Sequence, residues 1–197
     1  MKRLHQIIVA ILVVLSAVAG FLAVHVLYLQ PTKYQNYHLG IMSNCNDPSK
    51  KVMVRSWFIR DYNFTEIYDW VHENLDFVPL NESFPPEQRH TDPIEIKQSG
   101  KGRCGEFTIL YVAACLAHGY ECRLIVASDC SGLIWADKHT WAEVKVNGLW
   151  VHVDPSERRW QEPQMYKQWS WGQDIGSKVR IFAFEEGKVE DVTQNYA

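Results

Sequence analysis

Three residues in this chain could together cleave an amide: Cys104, His139 and Asp154. They are set in Arg103-Cys104-Gly105-Glu106-Phe107, His139-Thr140-Trp141 and Val153-Asp154-Pro155. A thiol attacks an amide when a base stands beside it, and that base works best when a third group orients its ring. Cysteine, histidine and aspartate supply these three parts.

The elements that must position them can be read from the same stretches. Asn147-Gly148 separates two alternating runs, His139 to Val146 and Leu149 to Asp154. Such a dipeptide is the signal of a two-residue type I′ hairpin turn. That turn pairs Val146 with Leu149, and by extension Trp141 with Asp154 and His139 with Ser156. One face then carries His139, Trp141, Glu143, Lys145, Trp150, His152, Asp154 and Ser156. The other, with Thr140, Ala142, Val144, Val146, Leu149, Val151 and Val153, is apolar and reads as core. His139 and Asp154 become diagonal neighbours, with Cβ atoms about 7–8 Å apart, close enough for an imidazole to meet a carboxylate.

Cys104 opens a second pattern. Phe107, Leu110, Tyr111 and Ala114 recur at helical spacing. Val112, Ala113, Cys115 and Leu116 make the rest of that helix apolar too, so it is expected to be buried on most sides. Ser99-Gly100-Lys101-Gly102 reads as a flexible approach and Gly119 as the helix stop. Cys104 thus falls at or just before the first turn, where unpaired N–H groups and the helix dipole favour a thiolate.

Gly-Arg-Cys-Gly-Glu-Phe, His-Thr-Trp-Ala-Glu-Val and Leu-Trp-Val-His-Val-Asp-Pro-Ser-Glu resemble the core of the transglutaminase-like (papain-like) superfamily. Within it the chain most resembles the peptide:N-glycanases, over about residues 55 to 196, including the hairpin-like tail Val179 to Thr193. The resemblance implies that Cys104 is the nucleophile, His139 the general base and acid, and Asp154 the orienting carboxylate. It departs from the cytosolic peptide:N-glycanases, which carry two zinc-binding Cys-x-x-Cys pairs. No Cys-x-x-Cys occurs here, and the region reads polar and proline-rich from Asn81 to His90. Ser156 replaces a frequent cysteine, and Phe107 a frequent tryptophan.

The 197 residues suit one globular domain after an N-terminal segment, and the net charge of −3 argues against a nucleic-acid partner. Ile7 to Leu29 contains no Asp, Glu, Lys or Arg and is long enough to span a bilayer. Lys2 and Arg3 precede it, which favours a cytoplasmic N-terminus and an external domain. A cleaved signal, with Ala17-Val18-Ala19 as its cleavage site, and an anchor of inverted topology are the competing readings. The expected organisation is an anchor or signal segment over 1–29, a polar tether over 30–51 and a catalytic domain over 52–197. Helices are expected within 52–77, broken near residues 61–64, with Thr65 opening the second, and a loop over 79–93.

The five cysteines, Cys45, Cys104, Cys115, Cys122 and Cys130, fit one reactive thiol with up to two disulfides, and Cys122–Cys130 is the first pair to test. Reduced core thiols at Cys115 and Cys122 are the equal competitor. His118, Cys122, Cys130 and His139 match no standard zinc spacing, so neither metal nor cofactor is expected. Asn63-Phe-Thr65 and Asn81-Glu-Ser83 match the glycosylation acceptor pattern. Trp160, Trp169 and Trp171 read as core or as a stacking wall, and Trp70 as core or as a second oxyanion donor.

The expected fold is α+β: the Cys104 helix packed on an antiparallel sheet of Glu121–Ala127, His139–Val146, Leu149–Asp154, Val179–Phe184 and Lys188–Val192. The expected activity is thiol-dependent hydrolysis of an amide in a protein, peptide or glycopeptide, through a thioester. Amine transfer, as in a transglutaminase, and a non-catalytic binding module are the alternatives.

Overall fold

A computed structural model of the chain describes residues 2–24, 30–131, 135–157 and 179–196. Trp160, Trp169 and Trp171 lie outside the described residues. Helix α1 (Lys2–Val24) exposes its side chains from Ile7 onward and is long and apolar enough to cross a membrane.

Residues 30–51 are not a tether: they form helix α2 (Gln30–Asn46) and the start of α3 (Pro48–Ser56). Tyr34, His38, Ile41, Met42 and Cys45 are buried. Their spacing is helical, but the stripe shows only if Tyr34, His38 and Cys45 count as interior residues. The packed body therefore begins near Tyr34. Helix α3 starts where Asp47 accepts hydrogen bonds from the Ser49 and Lys50 amides at 2.9 and 3.0 Å, with Pro48 in the first turn. The break extends over 57–63. Helix α4 (Phe64–Asn74) then opens on Asn63 rather than Thr65. The Asn63 Oδ1 accepts from Glu66 N at 2.9 Å, and Glu66 Oε2 accepts from Asn63 N at 2.8 Å, a reciprocal cap that Thr65 cannot make.

Strand β1 (Asp76–Phe77) is followed, beyond a loop, by α5 (Pro93–Ser99) and β2 (Lys101–Gly102). Strands β1 and β2 pair in parallel, with Asp76 N on Gly100 O at 2.9 Å and Val78 N on Gly102 O at 2.8 Å. The glycine-rich approach to Cys104 is thus held by hydrogen bonds rather than loose.

Helix α6 (Cys104–Ala117) comes next, with every residue from Glu106 to Cys115 buried. It contacts α2, α3, α4 and α5 as well as the sheet, which explains its all-round apolar surface. The sheet contains β3 (Cys122–Asp129), β4 (Ala136–Val146), β5 (Leu149–Val153), β6 (Val179–Glu185) and β7 (Lys188–Asp191). Their order is β5-β4-β3-β6-β7, antiparallel throughout. The β4–β5 register pairs Ala142 with Val153 and Val146 with Leu149, as the Asn147-Gly148 turn requires. Both turn residues have positive φ, 52° and 81°.

The expectation of one buried hairpin face needs correction. Ala142, Val144 and Val153 do join the α6 core, but Trp141 and Glu143 on the other face are buried too. Trp141 packs with Ile125, Ala127, Ile181, Ala183, Val192 and Tyr196 in a second cluster. Glu143 is matched by Arg123 at 2.5 Å and by the Tyr196 hydroxyl. A buried carboxylate is tolerable only with such partners.

Candidate active site

The three candidate residues come from three places in the fold. Cys104 is the first residue of α6, His139 lies near the start of β4 and Asp154 just beyond β5. The structure brings them together. His139 Nε2 meets Asp154 Oδ2 at 2.5 Å, and Cys104 is also a hydrogen-bond partner of His139. His139 and Cys104 line one cleft with a cavity of about 430 Å³. Burial alone would lower the His139 pKa, but the hydrogen bonds and negative charge of Asp154 and Cys104 push it up to about 10. The imidazole is thereby held as a cation at neutral pH, the charge that favours a thiolate beside it.

Local sequence explains how each group is held. Asp154 is buried, and its Oδ1 accepts from Ser156 N at 3.0 Å and Ser156 Oγ at 2.6 Å, leaving Oδ2 for His139. The sequence reading gave Ser156 no part in holding Asp154; the Asp-x-Ser turn is the signal that could have identified its role. Thr108, one turn after Cys104, donates to Thr140 O at 3.0 Å and ties the cysteine helix to the histidine strand. Glu106 accepts from Arg103 N at 3.0 Å and from Arg89 Nε at 3.2 Å, closing the helix start.

Gly102 matters for the same helix start. A Cβ there would sit 2.4 Å from Glu106 Cβ, an overlap that something must relieve. Gly102→Ala is expected to displace Glu106 and the first turn of α6. Overpacking of this kind costs about 1–3 kcal/mol, and denaturant unfolding of the variant would read it. Stability equal to that of the parent would contradict the packing described.

Several cleft residues escaped the sequence reading. Tyr37, His38 and Ile41 of α2 line the cavity, as do Arg89, His90 and Lys138. Trp70, considered as an oxyanion donor, packs instead with Phe58 and Trp57, ring centroids 4.4 and 6.0 Å away. All five cysteines are free thiols, so Cys122 and Cys130 form no disulfide. Cys122 is buried beside Cys115, and Cys130 Sγ lies 3.6 Å from Ser128 O. His118, Cys122, Cys130 and His139 do not converge, and no metal-ligating group of three or more occurs among the described residues. Asn63 and Asn81 are both exposed.

The family model of the transglutaminase-like superfamily matches residues 60–155, a span that contains all three residues. The peptide-N(4)-(N-acetyl-beta-glucosaminyl)asparagine amidase of Arabidopsis thaliana is 31% identical over 136 residues, 68% of this chain and 16% of that protein. The enzyme of the same name from Oryza sativa subsp. japonica is 34% identical over 107 residues, covering 53% and 21%. That of Yarrowia lipolytica is 27% identical over 175 residues, covering 71% and 44%. The chain thus spans less than half the length of each of these relatives. With its motifs gathered around one cleft in an α+β fold, the chain is similar to the transglutaminase-like superfamily over residues 60–155.

Proposed function

We propose that this protein is a cysteine-dependent amide hydrolase acting on a peptide or glycopeptide, with Cys104 as nucleophile, His139 as acid and base, and Asp154 as the residue that orients His139. The observation that carries the reading is the hydrogen-bonded series Cys104–His139–Asp154 at the edge of a cleft.

The Cys104 thiolate adds to the amide carbonyl carbon, and the carbonyl π electrons move to oxygen. First-turn N–H groups of α6, which lack intrahelical partners, face that developing charge. The oxyanion collapses, the C–N bond breaks and His139 gives its proton to the departing nitrogen. A thioester on Cys104 remains. His139, now neutral, takes a proton from water as the water adds to the thioester. The acid product leaves and the thiolate–imidazolium pair is restored. Asp154 keeps one tautomer of His139 in place throughout and takes no proton.

The relatives' name describes cleavage of a glycan–asparagine amide, and a cavity of about 430 Å³ lies within the common range of ligand sites. A glycopeptide is therefore the first substrate class to try, with unmodified peptides second. The domain is assigned to a membrane surface, carried by α1 as a single span with the cleft outside the cytoplasm. Lys2 and Arg3 ahead of the apolar run support that orientation.

The test is alkylation of Cys104 by iodoacetamide across pH, read site by site by mass spectrometry, with His139→Ala as control. Fast labelling below neutral pH that the control loses is the expected result. Release of the amine product from a glycopeptide or peptide by the parent, absent in Cys104→Ala, completes it. Turnover by Cys104→Ala, or labelling confined to the region of an ordinary thiol pKa of about 8.5, would refute the proposal.

A further inference from the structure

The segment expected to be a tether is fastened to the strand that carries His139. The Asp137 carboxylate accepts from the Tyr34 hydroxyl at 2.8 Å and from Ser128 Oγ at 3.3 Å, and His38 Nε2 lies 3.1 Å from its second oxygen. The Tyr34 and Ser128 hydroxyls also bond to each other. His38 is itself fixed, with Nδ1 on Tyr34 O at 3.0 Å and its ring stacked on Phe184 at 4.8 Å. Burial would raise the Asp137 pKa, but hydrogen bonding and charge from His38, with bonds from Tyr34 and Ser128, hold it below the usual carboxylate value.

This fastening falls at an irregular point of the sheet. Ala127 pairs with His139 and Ser128 with Asp137, so the register skips Lys138. A bulge leaves its extra residue without a ladder partner and bends the strand, which sets the direction of the neighbouring side chains. His139 is the next residue. Its partner Cys104 stands on a different element, so the distance between them depends on how this bend is held.

We propose that Tyr34 and His38 are positioning residues of the active site: through Asp137 they fix the bulge at Lys138 and so set the His139 imidazole against Cys104. The inference rests on the proposed pairing of Cys104 with His139. It makes α2 part of the catalytic apparatus, as a wall of the cleft and as the clamp on its histidine.

The experiment uses the full chain and the iodoacetamide labelling rate of Cys104, compared at pH 6 and pH 10, for the parent, Tyr34→Phe, His38→Ala, His38→Gln and Asp137→Asn. At pH 6 the rate depends on the imidazolium beside the thiol. At pH 10 the thiol can ionise without it. Small misplacement of a reacting group costs up to about 100-fold. Tyr34→Phe and His38→Ala are expected to lower the pH 6 rate about 10- to 100-fold while changing the pH 10 rate less than about threefold. His38→Gln, which retains an N–H donor, should recover most of the loss. His38→Ala added to Asp137→Asn should cost nothing further, since both act through one contact. Thermal unfolding run alongside identifies a merely structural role, which would lower the melting temperature and leave the ratio of the two rates unchanged. That outcome overturns the proposal. Should His38→Ala not fold, Tyr34→Phe, which keeps the ring, decides alone. Absence of fast labelling at pH 6 in the parent would instead remove the Cys–His pairing itself, and this inference with it.

Discussion

Asp154→Asn is expected to slow the cysteine chemistry by about 10³–10⁴-fold while the protein stays folded. Ser156 donates twice to Asp154 Oδ1, so that position needs an acceptor. An asparagine would place its carbonyl oxygen there and turn its NH₂ toward His139 Nε2. Nε2 would then have to accept, its proton would move to the nitrogen facing Cys104, and the ring could no longer take a proton from the thiol.

The pH profile should move with it. The imidazolium is the acid that protonates the leaving group, so the rate falls as pH rises through the His139 pKa, which stands at about 10. Burial pushes that pKa down and the carboxylate pushes it up, so its loss moves the alkaline limb to lower pH. Measuring kcat/KM against pH for both proteins decides the point. An unchanged profile would show that Asp154 does not govern His139.

A chain cut at residue 52, where the sequence suggested that the domain begins, is expected not to fold cooperatively. The cut removes Tyr34, Ile41, Met42 and Cys45, all buried in the core that surrounds α6. Burial of a large apolar side chain is worth about 1.5–3 kcal/mol. Four such losses approach the roughly 5–15 kcal/mol that holds a whole domain together. Circular dichroism melts of chains starting at residues 30 and 52 would test this. A sharp, reversible transition in the shorter one would show that α2 only decorates the fold.

What could be read in advance has a common physical basis. The β4–β5 register and the diagonal placement of His139 and Asp154 follow from one dipeptide, Asn147-Gly148, because a two-residue turn leaves no freedom of pairing. Helix α6 was legible because nearly every position in it is apolar. Helix α2 was not, because Tyr34 and His38 are buried by bonding to Asp137, a partner about a hundred residues away. The alternation puts Trp141 and Glu143 on one face of the hairpin but does not show that this face is covered. Their cover comes from Val192 and Tyr196, at the far end of the chain. Local pattern reports the strand; what lies on top of it is decided by distant sequence.

The spacing between the first two helices carries a consequence for encounter. Val24 ends α1 and Gln30 begins α2, so six backbone steps join them, at most about 20 Å. Tyr37 and His38, which face the cleft, lie two helical turns farther on, roughly 10 Å. If α1 spans a membrane, as proposed above, Cys104 cannot roam. Whatever fixes the apolar helix confines the thiol to a layer a few tens of ångströms deep. For a substrate held in the same membrane, collision there is governed by the number of molecules per unit area of that layer rather than by a concentration in the bulk.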